Sequence, residues 1–439
     1  MVIRYLFIVL SIYYDKILNQ KGTKRMKKIL LHTPEGVRDI YNRECERKLY
    51  LQEKIHSVLK KYGYRDIQTP SFEFFDIFSK EKGTVASNQM YKFFDREGNT
   101  LVLRPDMTPP IARCVSKYFM EEDMPIRLCY SGQTFINNAE HQGKLKERTQ
   151  TGAELLGENT ADSDCEVLAV TIEALLECGL TEFQIEVGHA LFFEGLLDEA
   201  GISEEDKEEI RELVENKNFF GMEEYLSNLA VNKSLKEVFL RLPEFIGSGE
   251  IISQAKTLIS NKKIDRALSR LEKVYTLLSY YGYDKYVSFD LSTIAKRNYY
   301  TGIIFAGYTY GVGDAILTGG RYDNLVRQFG KDIPSIGFGI DLDRMLMAMS
   351  GQKIEIPADS GSVFLLYENN VQKDAIYMAS KFRKEGTPVT LARRNTDFSL
   401  EEYREYVKNG DFTRMYYFSE EDSGIEKIQQ EISQGEIWR

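Results

Sequence analysis

Apolar and polar residues change rhythm several times along the chain, and each change marks an element. Leu51, Ile55, Val58 and Leu59 recur at helical spacing ahead of Gly63, which predicts a helix stopped at that glycine. Tyr64 to Pro70 then reads as a strand ending at a proline. Met90–Asp95 and Thr100–Leu103 flank a Gly98–Asn99 turn and predict a hairpin. Pro109–Tyr118 follows as a helix, with proline at its start, where the amides lack partners anyway. Two longer apolar runs, Arg127–Phe135 and Thr149–Leu156, predict antiparallel strands. The polar stretch Asn137–Arg148 joins them and carries Lys144, Lys146 and Arg148.

Beyond this central hairpin, Cys165–Cys178 reads as an amphipathic helix and Phe183–Val187 as a strand. From Gly195 to about Lys285 helical periodicity replaces alternation, predicting an inserted subdomain of two to four helices. Ser203 with Asp206 three residues on resembles a capping box. The stripe Ile264, Leu268, Leu271, Tyr275 and Leu278, stopped at Gly282, reads as core and carries no chemistry. Strands return at Gly302–Tyr310 and Ala315–Thr318 around a Gly311–Asp314 turn, and Ser335–Ile340 runs into a helix over Leu342–Met349. Ser350–Gly361 is a linker. The tail then alternates strand (Val363–Tyr367), helix (Asp374–Lys384), strand (Val389–Leu391), helix (Leu400–Lys408), strand (Met415–Phe418) and a last helix, a small α/β domain with a mostly parallel sheet.

Composition narrows the function classes. With 439 residues, 43% apolar and 28% charged, the chain has room for two or three ordinary globular domains. A net charge of −10 gives no global footprint for nucleic acid, and residues 361–439 carry eleven Lys/Arg against fourteen Asp/Glu. Cys45, Cys114, Cys129, Cys165 and Cys178 are odd in number and form no C-x-x-C pair. This suggests a reducing, cytoplasmic setting without a disulfide framework, and the four dispersed histidines suggest no metal centre. The apolar run Tyr5–Tyr14 is too short for a bilayer, which takes about 20 residues, and no small-residue cleavage site follows it. Residues 1–28 are therefore set apart as an N-terminal extension, with Met26 as the expected start and a membrane-surface anchor as the alternative.

The motifs carry a resemblance. Tyr130, Gly132, Phe135, Gly143, Gln150, Gly152, Glu154 and Gly157 fall where motif 2 of the class II aminoacyl-tRNA synthetases, and specifically of the histidyl enzyme, would place them. The helix through Leu51–Leu59 with the following strand and Pro70 resembles motif 1, the dimer-forming element, and GFGIDLDR (Gly337–Arg344) resembles motif 3, whose arginine contacts the nucleotide. AKRNYYTGIIF (Ala295–Phe305) and TGGRYDNLV (Thr318–Val326) resemble the two histidyl-specific segments. The resemblance implies an α+β fold: an antiparallel class II sheet flanked by helices over residues 29–350, a helical insertion, and a shortened anticodon-binding-like domain at 361–439.

It also implies an amino-acid pocket: Asp106 and Thr108 in the loop LRPDMT, Gln150 and Glu154 on the second hairpin strand, and Tyr299 and Tyr300 around an imidazole. Taken alone, Asp106 reads equally well as a cap for the following helix. Two arginines that the synthetase pattern requires are missing, replaced by Ile136 and Ala295, while Arg344 is kept. Activation of an amino acid by ATP depends on fixed cations around the phosphorus, and losing one such donor costs about 10²–10³ in rate. Lys144 and Lys146 are mobile point charges that lack arginine's fork.

A synthetase scaffold without these arginines, opening its loop as LRPDMTPPIAR, resembles the regulatory subunits of ATP phosphoribosyltransferase. That resemblance implies a non-catalytic protein without cofactor. Its expected partners are a short catalytic subunit, free histidine as effector, and a second copy through the motif 1-like region, with no membrane and no tRNA. A divergent histidyl-tRNA synthetase is the alternative, and a synthetase-like protein with some other partner is a third reading.

Overall fold

The computed structural model describes residues 31–79, 85–138, 144–294, 300–357, 362–410 and 412–419. The N-terminal extension, Ala295, Tyr299 and the last expected helix lie outside the described residues. Two units are formed, one by the described residues up to Asp39 together with Leu51–Glu355, the other by Ile40–Tyr50 and the residues from Ile356 onward.

In the first unit the strands are β1 (Arg65–Asp66), β2 (Phe72–Phe74), β3 (Lys92–Phe94), β4 (Thr100–Leu103), β5 (Ile126–Phe135), β6 (Glu147–Leu156), β7 (Phe183–His189), β8 (Ile246–Gly247), β9 (Val287–Asp290), β10 (Ile303–Thr309), β11 (Leu317–Arg321) and β12 (Ser335–Asp341). Nine of them make one sheet in the order β1-β5-β6-β12-β11-β10-β7-β9-β8, while β2, β4 and β3 make a small antiparallel sheet. The large sheet is antiparallel through its centre, as expected. It becomes parallel where β1 meets β5 and where β7 meets β9, so the sheet is mixed. The expected strand from Tyr64 to Pro70 shrinks to Arg65–Asp66, because only this edge pairs with β5 before the chain turns toward Pro70.

Strand alternation gives the sheet two chemically different faces. One is apolar: Ala153, Leu155, Ile336, Phe338, Ile340 and Phe305 are almost wholly buried. Helix Ala161–Glu177 packs across β12 on this side, and helix Lys262–Tyr281 packs on that helix. The expected stripe on Lys262–Tyr281 is core: Ile264, Leu268, Leu271 and Leu278 are fully buried, and Tyr275 meets Phe289 edge-on at 5.7 Å. Gly282 ends that helix in the left-handed conformation that a side chain would strain, φ 73°.

The helical stretch holds more than two to four helices. Glu204–Glu215, Phe219–Ser227, Lys233–Leu240, Glu250–Leu258 and Lys262–Tyr281 all begin after Gly201. Ser203 accepts the Asp206 amide at 3.2 Å as the capping pattern suggests. Asn218, Asn232 and Asn261 cap three of the other helices.

In the second unit β13 (Val363–Tyr367) lies between β14 (Val389–Arg393) and β15 (Arg414–Phe418), with both pairings parallel. Helices Gln372–Lys384 and Leu400–Asn409 match the expected alternation. No helix among the described residues is long and apolar enough to cross a membrane.

Candidate functional site

The other face of the large sheet carries the site. Register places Tyr130 opposite Gly152, Glu154 opposite Gly337, and Gly339 opposite both Gly152 and Thr318, so these residues share one face across β5, β6, β12 and β11. Glycine at these positions makes the room. A Cβ on Gly337 would fall 1.6 Å from Glu154 Oε2, and one on Gly339 would fall 1.7 Å from Gln150 Nε2. The glycines thus form a floor over which the long side chains of β6 lie flat.

The resulting small cavity is lined by Thr108, Tyr130, Gln150, Tyr300, Thr318 and Tyr322, with glycines and Phe338 beneath them. At its base Glu154, 1% exposed, is held by neutral groups. The Thr108 hydroxyl donates to Oε1 at 2.9 Å, and the Tyr322 hydroxyl donates to Oε2. Tyr130 donates to the Phe338 carbonyl at 3.3 Å. A buried carboxylate beside aromatic rings is the chemistry that receives an ammonium or an imidazolium, since it supplies charge in a poorly screened setting.

Thr108, Gln150, Glu154 and Tyr300 are therefore brought together as the sequence anticipates. Asp106 is buried but lies outside the cavity lining, and its carboxylate accepts the Thr108 amide at 3.2 Å, a local turn contact one residue ahead of the helix's N-cap, Met107. Tyr130, Thr318 and Tyr322 were not singled out as contacts from the sequence. Each nonetheless sits in a recognised motif, and the period-2 alternation with the glycines was the signal that would have found them.

Arginines near the site have assigned tasks. Arg104 of the LRPD loop donates to the carbonyls of Gln133 (2.7 Å) and Thr69 (2.6 Å). Arg321 clamps fully buried Asp164 through Nη2 at 2.6 Å and Nε at 2.9 Å, and Arg270 reaches the same carboxylate at 2.5 Å. This buried network fixes the strand end from which Tyr322 reaches Glu154. Ile136 lies at the hairpin end, its amide bonded to the Lys146 carbonyl at 2.9 Å.

All five cysteines are free thiols. One mixed cluster forms from residues that the sequence disperses: His56, Asp66 and Cys129 offer donors within 4.8 Å of one another. Lys60 bonds Asp66 at 2.9 Å and, followed by His56, holds its carboxyl well below the usual range, so an ammonium already stands where a metal would be needed.

Comparison with known proteins identifies the scaffold. The family profile described as histidyl-tRNA synthetase matches residues 36–345. A regulatory subunit of ATP phosphoribosyltransferase from Acetivibrio thermocellus is 40% identical, covering 84% of this chain and 88% of the relative. One from Clostridium novyi is 36% identical, covering 89% and 95%. A solved structure from Bacillus halodurans, titled as an ATP phosphoribosyltransferase regulatory subunit/histidyl-tRNA synthetase, superposes with a TM-score of 0.80 at 30% identity, covering 89% of this chain and 98% of that one. Histidyl-tRNA synthetase from Nostoc, at 20% identity and TM-score 0.75, shares the fold. On these grounds the chain belongs to the family of ATP phosphoribosyltransferase regulatory subunits, built on the histidyl-tRNA synthetase scaffold.

Proposed function

We propose that this chain is the non-catalytic partner of a short ATP phosphoribosyltransferase catalytic subunit, needed for its activity and feedback control in the first step of histidine biosynthesis. On this reading the cavity on the sheet face takes free histidine without activating it. Glu154, set by Thr108 and Tyr322, faces the ligand's positive charge; Gln150 offers an amide, and Tyr130 and Tyr300 flank the imidazole. Asp106 acts behind the pocket by fixing Thr108, and Tyr299 adjoins Tyr300 in the chain. Histidine and the catalytic subunit would then bias one shared conformational equilibrium, with a coupling typically of about 1–3 kcal/mol. A second copy joined through the motif 1-like helix and strand completes the proposed assembly, and tRNA has no part in it.

The observation that carries the reading is the small polar-aromatic cavity over a glycine floor, adjoining a hairpin whose Ile136 supplies no cation. The test is reconstitution: the purified chain is mixed with a short catalytic subunit and phosphoribosyl transfer is assayed with and without histidine. Activation by the chain and inhibition by histidine are expected. A catalytic subunit indifferent to the chain would refute the reading.

A further inference from the structure

The histidine reading leaves unused a group of charges beyond the cavity on the same face of the sheet. Arg148 lies two residues before Gln150 on β6, and Asp341 two residues after Gly339 on β12. Alternation therefore brings both to the pocket face, about 7 Å further along their strands. There Asp341 Oδ2 stands 3.5 Å from Arg148 Nη1 and 3.4 Å from Arg344 Nε. Its Oδ1 accepts the Arg344 amide at 3.0 Å and caps helix Leu342–Gly351. Arg344 also reaches Asp314 at 2.9 Å and the Ala315 carbonyl at 2.6 Å. Adjacent Asp343, 5% exposed, accepts the Thr149 amide at 2.8 Å. Two guanidiniums thus share the Asp341 carboxylate largely out of water, with the side chains of Arg148 and Asp341 only 18% and 15% exposed, while Asp314 stands half exposed at the edge and Asp343 is buried beside them.

Two guanidiniums converging on one oxygen are the arrangement that would clamp a phosphate. Here that oxygen belongs to the chain. An entering phosphate would have to displace it and then sit beside the displaced carboxylate and its acidic neighbours. We propose that Asp341 determines the specificity of this pocket: an internal anion that takes a ligand phosphate's place between Arg148 and Arg344 and confines the site to ligands without phosphate. The inference rests on the amino-acid reading of the adjoining cavity, and on it a pocket with two nearby arginines would exclude nucleotides.

Capping alone would also explain an aspartate at this position, so the variants keep the cap. Asparagine and serine both accept a helix amide but carry no charge. Calorimetric titration of inorganic tripolyphosphate and of ATP into the wild-type chain, Asp341→Asn, and Asp341→Asn combined with Arg148→Gln and Arg344→Gln tests the claim. Asp341→Asn is expected to bind both polyanions at least about tenfold tighter than wild type. That gain should weaken with added salt and vanish in the triple variant. Asp341→Ser should repeat it, which keeps the test decisive if Asp341→Asn folds poorly. A folded Asn or Ser variant with no tighter binding would overturn the proposal, as would a gain for ATP but not tripolyphosphate, or one that survives loss of both arginines. Histidine titrated into the same wild-type sample separates the two readings, because its failure to bind refutes the amino-acid site whatever the polyanions do.

Discussion

At the base of the cavity a buried carboxylate, Glu154, accepts from two hydroxyls; further along the same sheet face, Asp341 is held by two guanidiniums. The first arrangement sets a buried carboxylate among hydroxyls and aromatic rings, a setting suited to a cationic ligand. In the second, opposite charges cancel within the chain. The contrast teaches that pocket chemistry is set less by which charged residues are present than by what already neutralises them. Arg344, the one motif arginine the sequence retains, is present in the fold yet committed to Asp341, Asp314 and a carbonyl.

The support beneath the binding end is the most sensitive place to break this contrast. Asp164→Ala would leave Arg321 and Arg270 without their shared buried partner. A loss of about 3–5 kcal/mol in denaturant unfolding is expected, with histidine affinity falling because Tyr322 loses its anchor. The same arginines act on buried His189: burial first, then the charges of Arg270, Arg266 and Arg321, push its pKa down to about 3. Its neutral Nδ1 accepts the Leu191 amide at 3.2 Å and caps helix Ala190–Ala200. The unfolded chain binds this proton near pH 6.5 and the folded chain does not. This contribution is therefore complete above pH 6.5 and is lost as pH falls from there toward 3, by a few kcal/mol at about 1.4 per unit. Melting temperature against pH should fall more gently in His189→Asn, which keeps a capping side chain but does not titrate.

Gly337→Ala would press a methyl into Glu154. A cost of about 1–3 kcal/mol is expected in unfolding, with calorimetric histidine binding abolished. Asp341→Asn should cost about 1–2 kcal/mol in unfolding, less than Asp164→Ala, because the cap survives although two mostly buried guanidiniums lose their shared anion. A change as large as that of Asp164→Ala would show the two ends to be equally structural.

Much of this was legible in sequence, and what was not has physical causes. The central hairpin, the Lys262–Tyr281 stripe and the β13-β14-β15 alternation follow from local periodicity, which the tertiary structure had no reason to override. The short helices between Gly201 and Leu258 were undercounted. Each is 8–12 residues long, too few to establish a period, although Asn218 and Asn232 mark their starts. Glu154 was recognised by motif, but its partners were hidden: Thr108 is 46 residues away and Tyr322 168. Dispersed histidines suggested no metal-type cluster, yet pairing β1 with β5 carries Asp66 to Cys129 and His56. Asp341 gave no warning at all, because a carboxylate's partner across a sheet is a property of register.

The central claim is that this pocket holds an amino acid it cannot activate. ATP–pyrophosphate exchange in the presence of histidine measures that directly, on samples shown by calorimetry to bind histidine. The account predicts histidine binding with no exchange above background; sustained, histidine-dependent exchange would contradict it.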